Sequence, residues 1–328
     1  MPANLPPQYF EAEKRYRLAK SFPEKMEALD DMLAIMPKHK GTDKLRADLR
    51  RRVAKLSEEA EKKHALGRRG GIYQVRKEGA GQAVLVGLPN VGKSQLVSAI
   101  TKAALDVADY PFTTQVPTPG MMKLENIQIQ LVDMPPITDS AARPWLSVML
   151  RSADVLLLVV DLADNPVTQL ETVIAELEGL RVGPPGRQPR EEAATPLIQK
   201  KCLIVGNKND LGDSGRSYRA LEAQYGGEFP MVSISAKEGT GLEELRREIY
   251  RTLDIIRVYT KAPGGKADLA EPVVLRKGST VEDLAGSIHK DFRYQLKYAQ
   301  IWGSGKYDGQ RVKRGHHLED GDVIELHL

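Results

Sequence analysis

Cysteine is almost missing from this chain. Among 328 residues only Cys202 occurs, which excludes an internal disulfide and a cysteine-cluster metal site and fits a reducing cytoplasm. Long apolar runs are missing too. The longest, residues 155–160, falls far short of the ~20 residues a membrane-spanning helix needs. The Met1 end lacks the basic-then-apolar layout of a signal peptide. These features predict no membrane insertion and a cytoplasmic protein. No internal repeat and no low-complexity tract is visible. What the chain does have is a globular composition, 41% hydrophobic and 28% charged, and length for two or three domains at ~150 residues each.

The net charge of +4 is an average over unlike regions. Residues 1–70 hold 17 Lys and Arg against 11 Asp and Glu, residues 71–270 hold 22 against 24, and residues 271–328 hold 9 against 9. A basic N-terminal region beside a nearly neutral body suits an acidic partner such as RNA, because each cation near a phosphate releases condensed counterions. The same residues also suit a solvated helix face. Residues 24–36 and 43–66 are helix-like, and Pro37 and Gly41 break them into a hairpin. Leu45, Leu49, Val53, Leu56 and Ala60 share one stripe, and Arg50, Arg51 and Arg52 lie on other faces. Arg68 and Arg69 sit in a Gly-rich hinge that follows.

Downstream, short aliphatic runs at 83–86, 127–132, 155–160, 202–205 and 231–234 alternate with helix-like segments. This pattern predicts an α/β doubly wound sheet. Thr240 and Glu243 have capping-box spacing for a helix to about residue 254. Residues 261–265 read as a linker and 183–196 as a surface loop. The remainder carries strands at 272–275, 298–302 and 323–327 and a helix capped within 279–282. The predicted organisation is a basic helical hairpin over 1–70, an α/β domain over 71–265 and a small mixed domain over 266–328.

Gly87-Leu88-Pro89-Asn90-Val91-Gly92-Lys93-Ser94 matches the phosphate-loop pattern GxxxxGKS between a strand and a helix. In such a loop the backbone from Asn90 through Val91 and Gly92 to Gln95 wraps the phosphates. Lys93 neutralises the β- and γ-phosphates, and Ser94 ligates Mg²⁺. Asn207-Lys208-Asn209-Asp210 follows another strand and fits the guanine-selecting pattern. The Asp210 carboxylate accepts from guanine N1–H and the 2-amino group, where adenine offers no donor at N1. Asn207 braces the loop, the Lys208 stem covers the base, and Ser235-Ala236-Lys237 supplies a backbone amide for the guanine carbonyl. Asp133 ends a strand where its carboxylate reaches Mg²⁺ through water, and the loop Tyr110-Pro111-Phe112-Thr113-Thr114 offers hydroxyls, Thr114 being favoured over Thr113.

These residues resemble the Obg-type GTPases, most closely the developmentally regulated GTP-binding (DRG) branch. The tail adds to the likeness: Leu275–Val281, Lys297-Tyr298-Ala299, Ile301-Trp302-Gly303 and Gln310-Arg311-Val312 look like a TGS domain, the ubiquitin-like (β-grasp) module of these proteins. The resemblance implies a P-loop GTPase that binds GTP and GDP with Mg²⁺, uses Lys93 and Thr114 in catalysis, and contacts ribosomes or RNA through the basic hairpin and the TGS domain. A regulatory protein is a further implied partner, as is K⁺ held with the help of Asn90 and acting as a positive charge at the transition state. Two departures stand out. DRG proteins carry an extra domain between the Mg²⁺ aspartate and the guanine motif, and here only a loop is found. The glycine usual after Asp-X-Pro is Pro136, which has no N–H to offer a γ-phosphate. Ile137 stands where a Ras-like enzyme has the water-orienting glutamine, a hydrophobic substitution that the resemblance implies is typical of the wider group. The predicted function is slow, K⁺-stimulated GTP hydrolysis connected with translation; the alternative is a nucleotide-binding scaffold with little turnover.

Overall fold

The computed structural model describes residues 75–101, 117–139, 142–186 and 196–328, together with residues 22–35 and positions 6, 9, 12, 14–16, 49 and 51 near the N-terminus. It divides into two compact units, Met1–Tyr73 and Gln74–Leu328. In the first, helix α1 (Phe22–Ile35) buries Leu29 and Met32 against Tyr9, Ala12 and Leu49. Leu49 therefore sits on an apolar face, as its stripe predicts, and Arg51 is exposed. Arg50, Arg52, Arg68 and Arg69 lie outside the described residues.

The second unit opens on a six-stranded sheet. Its strands are β1 (Gln82–Val86), β2 (Thr118–Leu124), β3 (Ile127–Asp133), β4 (Val155–Asp161), β7 (Lys201–Asn207) and β8 (Met231–Ser233), in the order β2-β3-β1-β4-β7-β8. Only β2, on the edge, runs antiparallel to its neighbour. The short pair β5 (Val182–Gly183) and β6 (Ile198–Gln199) stands apart. The predicted doubly wound sheet is thus present, and its central strands read as continuous apolar runs because both faces are covered. Side chains alternate between two core layers. Val84, Val86, Leu156, Leu158 and Val160 face α3 (Arg143–Ser152), α4 (Pro166–Gly179) and α5 (Ser214–Tyr225). Ala83, Leu85, Val155, Leu157 and Val159 face α2 (Lys93–Thr101) and α6 (Leu242–Leu253). The chain winds away from β1 in opposite directions, to β3 on one side and β4 on the other. The crevice beyond the carboxyl end of β1 is therefore the natural ligand site.

Helix α6 is not capped as its spacing predicts. Its N-cap is Gly241 at φ +75°, with no side-chain cap, and Glu243 instead pairs with Arg246 one turn on. In the C-terminal domain the N-cap is Thr280, one residue past the start of the expected Ser279-Thr280-Val281-Glu282 cap. Thr280 and Asp283 form the capping box of α7 (Val281–Ile288); Glu282 points elsewhere and pairs with Arg293 and Arg314.

The boundary expected at 266 is also too late. Asp254, at φ +60°, ends α6, and β9 (Ile255–Lys261) begins at once. This strand joins β10 (Val273–Arg276), β11 (Tyr298–Trp302), β12 (Gln310–Val312) and β13 (Val323–His327) in a second sheet ordered β10-β9-β13-β11-β12. The reason is packing: Ile256 and Val258 close the core formed by Val281, Leu284, Ala299, Ile301 and Ile324. Helix α8 (Lys290–Gln295) follows α7.

The two sheets meet at the turn between β2 and β3. Arg257 bonds Glu125 and holds Asp320 through Nη2 at 2.8 Å and Nε at 3.1 Å, and Tyr250 donates to Asp320 at 2.6 Å. Asn126 donates to the Tyr259 hydroxyl at 2.8 Å and the Leu269 carbonyl at 3.0 Å. Hydrogen bonds donated to Asp320 raise the guanidinium pKa, so Arg257 stays charged throughout. Arg257→Ala removes the charge-assisted side-chain hydrogen bonds and leaves Asp320 with only the Tyr250 hydroxyl and the backbone amide of residue 257. It is expected to lower stability by about 2 kcal/mol, read as a shifted urea midpoint.

Candidate functional site

The phosphate-loop sequence occupies the crevice. Gly87 begins the loop directly after β1, packed so closely that a Cβ would lie 2.5 Å from the Val159 carbonyl. Asn90 and Gly92 take positive φ values of 64° and 89°, which turn the backbone around the space where phosphates fit. Asn90 is exposed and Val91 anchors the loop in the core. Ser94 and Gln95, both half-buried, continue into the first turn of α2.

Lys93 is buried and turned onto its own loop, donating to the carbonyls of Gly87 at 3.1 Å and Leu88 at 2.8 Å. Burial lowers its pKa from 10.5 to about 8, with the charge of Asp133 opposing the shift. The consequence for ligand binding has a definite sign. An anionic phosphate held in this loop would favour the ammonium form, so below pH 8 it would meet a charged Lys93. Above pH 8, binding must take up a proton, and affinity for GDP is expected to fall by up to about tenfold per pH unit until the ligand-bound pKa is reached. Titrations between pH 7 and 10 would show the break.

At the same end of the sheet Ser94 Oγ donates to Asp133 Oδ2 at 2.5 Å. A hydroxyl and a carboxylate paired at a helix start beside a phosphate loop form a donor set suited to Mg²⁺. Among the described residues no group of three or more His, Cys, Asp or Glu is placed to hold a metal, so any ion here draws further ligands from phosphate and water. Thr114 and Thr113 lie outside the described residues.

The guanine motif lies where β7 ends, and the structure ties it to the phosphate loop. Asn207 Nδ2 donates to the Val91 carbonyl at 2.8 Å, and its Oδ1 accepts from Ala236 N at 3.0 Å. One buried amide thus joins the phosphate loop, the end of β7 and the Ser235–Lys237 loop. Gly92 answers to the same contact, because a Cβ there would stand 2.4 Å from Asn207 Nδ2. Asn209 N donates to the Ile234 carbonyl at 2.9 Å, fixing the Asn207–Asp210 and Ser235–Lys237 loops together.

Asp210 is exposed, and a hydrogen bond from the Ser235 hydroxyl, with Lys237 and Lys208 nearby, holds its carboxyl below the usual range. Ser235 is buried and Lys237 exposed. Lys208, at φ 64°, sets its ammonium 2.6 Å from Asp161 Oδ2. Asp161 has no place in the sequence reading; its only signal was a carboxylate ending an apolar strand. The Val91 carbonyl was invisible for a different reason, since a backbone group has no signature.

The segment after β3 is a further surprise. Asp133, Met134, Pro135, Pro136 and Ile137 are all buried, and Met134 and Ile137 pack with Ala142, Leu146 and Met149. A separate cavity of about 410 Å³ lies at the far end of β7, lined by Lys201, Cys202, Phe229 and Asp254 among others. Burial pushes the Cys202 thiol up to about 12, so it is not a nucleophile at neutral pH.

Residues 82–190 match the family model described as a 50S ribosome-binding GTPase, and residues 256–328 match the TGS domain. A GTP-binding protein of Methanocaldococcus jannaschii is 30% identical, with 92% of each chain covered. Developmentally-regulated G-protein 3 of Arabidopsis thaliana is 30% identical over 92% of this chain and 98% of its own. Ribosome-interacting GTPase 1 of Saccharomyces cerevisiae is 28% identical with the same coverage. These alignments run over 363 to 368 positions, whereas 92% of 328 residues is about 302, so roughly 60 positions have no counterpart here. The chain is thus shorter than these relatives within the aligned span. No helix among the described residues is long and apolar enough to cross a membrane.

Proposed function

Because the chain belongs to the developmentally regulated GTP-binding proteins, a guanine-nucleotide-binding P-loop domain joined to a TGS domain, we propose that it hydrolyses GTP to GDP and phosphate, slowly and with Mg²⁺. The observation that carries this reading is the Asn207 amide, which holds the phosphate loop and the guanine loops as one surface. On it, Lys93 meets the β- and γ-phosphates, the backbone from Asn90 to Gln95 wraps them, and Asp210 reads the base edge. Ser235, Ala236 and Lys237 face the guanine carbonyl, and Lys208 covers the ring. Ser94, Thr114 and, through water, Asp133 would hold Mg²⁺, which supplies neutralisation of the developing phosphate charge. Asn90, exposed on the loop, is the candidate contact for a stimulating K⁺. Slow turnover follows from Ile137, whose buried hydrocarbon side chain cannot orient an attacking water.

Phosphate release from GTP and from ATP, each in Na⁺ and in K⁺ buffer, tests the proposal. GTP alone should be turned over, faster in K⁺; equal hydrolysis of ATP would sink the guanine assignment. The burial of Pro136 and Ile137 favours the second reading, a nucleotide-binding scaffold, and tight GTP binding without phosphate release in either buffer would decide for it.

A ribosome or RNA contact is supported by the name of the yeast relative, a ribosome-interacting GTPase, and by the basic excess of residues 1–70, with the TGS domain a second surface for RNA or a regulatory protein. Charge reversal at Arg50, Arg51 and Arg52 is the direct test. Unchanged cosedimentation with ribosomal subunits at low salt would show that this surface is the wrong one.

A further inference from the structure

We infer that Pro136 is a specificity-determining residue: it leaves the Asp133–Ile137 wall beside the phosphate loop without the amide that would sense the γ-phosphate. The inference rests on the guanine-nucleotide reading of the site and concerns how that site tells GTP from GDP.

The segment is pinned to the loop at both ends. Asp133 accepts from Ser94 at the loop's end, and the Ile137 amide donates to the carbonyl of Gly87, its first residue, at 3.3 Å. Pro135 and Pro136 therefore lie along the loop between two attachments, and neither has an N–H. The next amide along, that of Ile137, is committed to a carbonyl that Lys93 Nζ also contacts at 3.1 Å. No backbone donor at 135–137 is left for an incoming phosphate.

The segment is also held from behind. Met134 and Ile137 are each 1% exposed within the core layer that includes Leu146 and Met149. Swinging the segment toward a ligand would withdraw both from a close-packed interior. Switch loops order on GTP because the γ-phosphate gives them a contact that GDP does not. Here no backbone donor stands free at 135–137 and the segment is already packed in the core, so the third phosphate offers it no differential binding.

A hydrogen bond to a charged group is worth roughly ten- to a hundredfold in affinity, so restoring the amide should be measurable. Fluorescent GDP and the fluorescent imido analogue of GTP would be titrated into the full chain with Mg²⁺, and into Pro136→Gly and Pro136→Ala. The unaltered chain should favour the analogue by less than about tenfold, and each variant should raise that preference about tenfold. Amide exchange at Met134 and Ile137 should be the same with either nucleotide in the unaltered chain. A larger preference there, analogue-dependent protection, or variants that leave the ratio where it was would overturn the inference while leaving the guanine reading intact. Failure of the unaltered chain to bind either nucleotide would overturn both. Pro136→Ala, with less backbone freedom than Gly, reports on the amide should Pro136→Gly fail to fold.

Discussion

Asp210→Asn is expected to weaken GDP and GTP binding by about a hundredfold, and to leave the stability of the ligand-free protein unchanged. The carboxylate is exposed and packs against nothing that an amide of the same shape would disturb. The role proposed for it is electrostatic, and a hydrogen bond from the Ser235 hydroxyl favours its ionised form. Guanine presents two donors, N1–H and the 2-amino group, to two acceptor oxygens. An asparagine keeps one acceptor and turns an NH₂ toward the other donor. Xanthine, with a carbonyl in place of that amino group, suits the amide instead. Binding of XTP by the variant should therefore rise as binding of GTP falls, and parallel titrations with the two nucleotides would show whether Asp210 reads the base.

Asn207→Ala is expected to act differently, costing both fold and ligand. It removes the donor to the Val91 carbonyl and the acceptor for Ala236 N, leaving two backbone groups unpaired in the interior at about 1–3 kcal/mol each. A loss of about 2–4 kcal/mol in urea unfolding is expected, together with about a hundredfold weaker GDP binding as the two loops come apart. Asn207→Asp keeps the acceptor for Ala236 N but sets a buried carboxylate oxygen against the Val91 carbonyl, so it should be at least as destabilising as the alanine variant.

Much of the second unit was legible because burial writes itself into sequence. Residues 155–160 form an uninterrupted apolar run since β4 is covered on both faces, and a glycine-rich loop after an apolar strand has few other readings. Strand β2 was hidden for the opposite reason. It lies on the sheet edge, where Pro119 and Gly120 are tolerated, and its residues imitate a loop. Strand β9 was hidden by its surroundings: Ile255 follows a helix with one residue between, and the Pro-Gly-Gly at 263–265 drew the boundary past it. Caps failed by one residue at α7 and altogether at α6, because Gly241 meets the turn's need for positive φ while Thr240 only has the right spacing. What no pattern carries is contact between distant residues. The bond from Asn207 to Val91 joins positions 116 apart, and Arg257 reaches Glu125 across 132.

The one-residue joint at Asp254 has a practical side. Ile255 and Val274 pack against the core of the nucleotide-binding domain while Ile256 and Val258 serve the C-terminal one, so neighbouring side chains belong to different interiors. A chain cut after residue 265 would keep β9 but strip it of both hydrogen-bonded neighbours, β10 and β13. What remains is an unprotected strand edge bearing Ile256 and Val258, the kind of surface that recruits other copies of itself. Such a fragment should precipitate, whereas one cut after Asp254 carries no such edge.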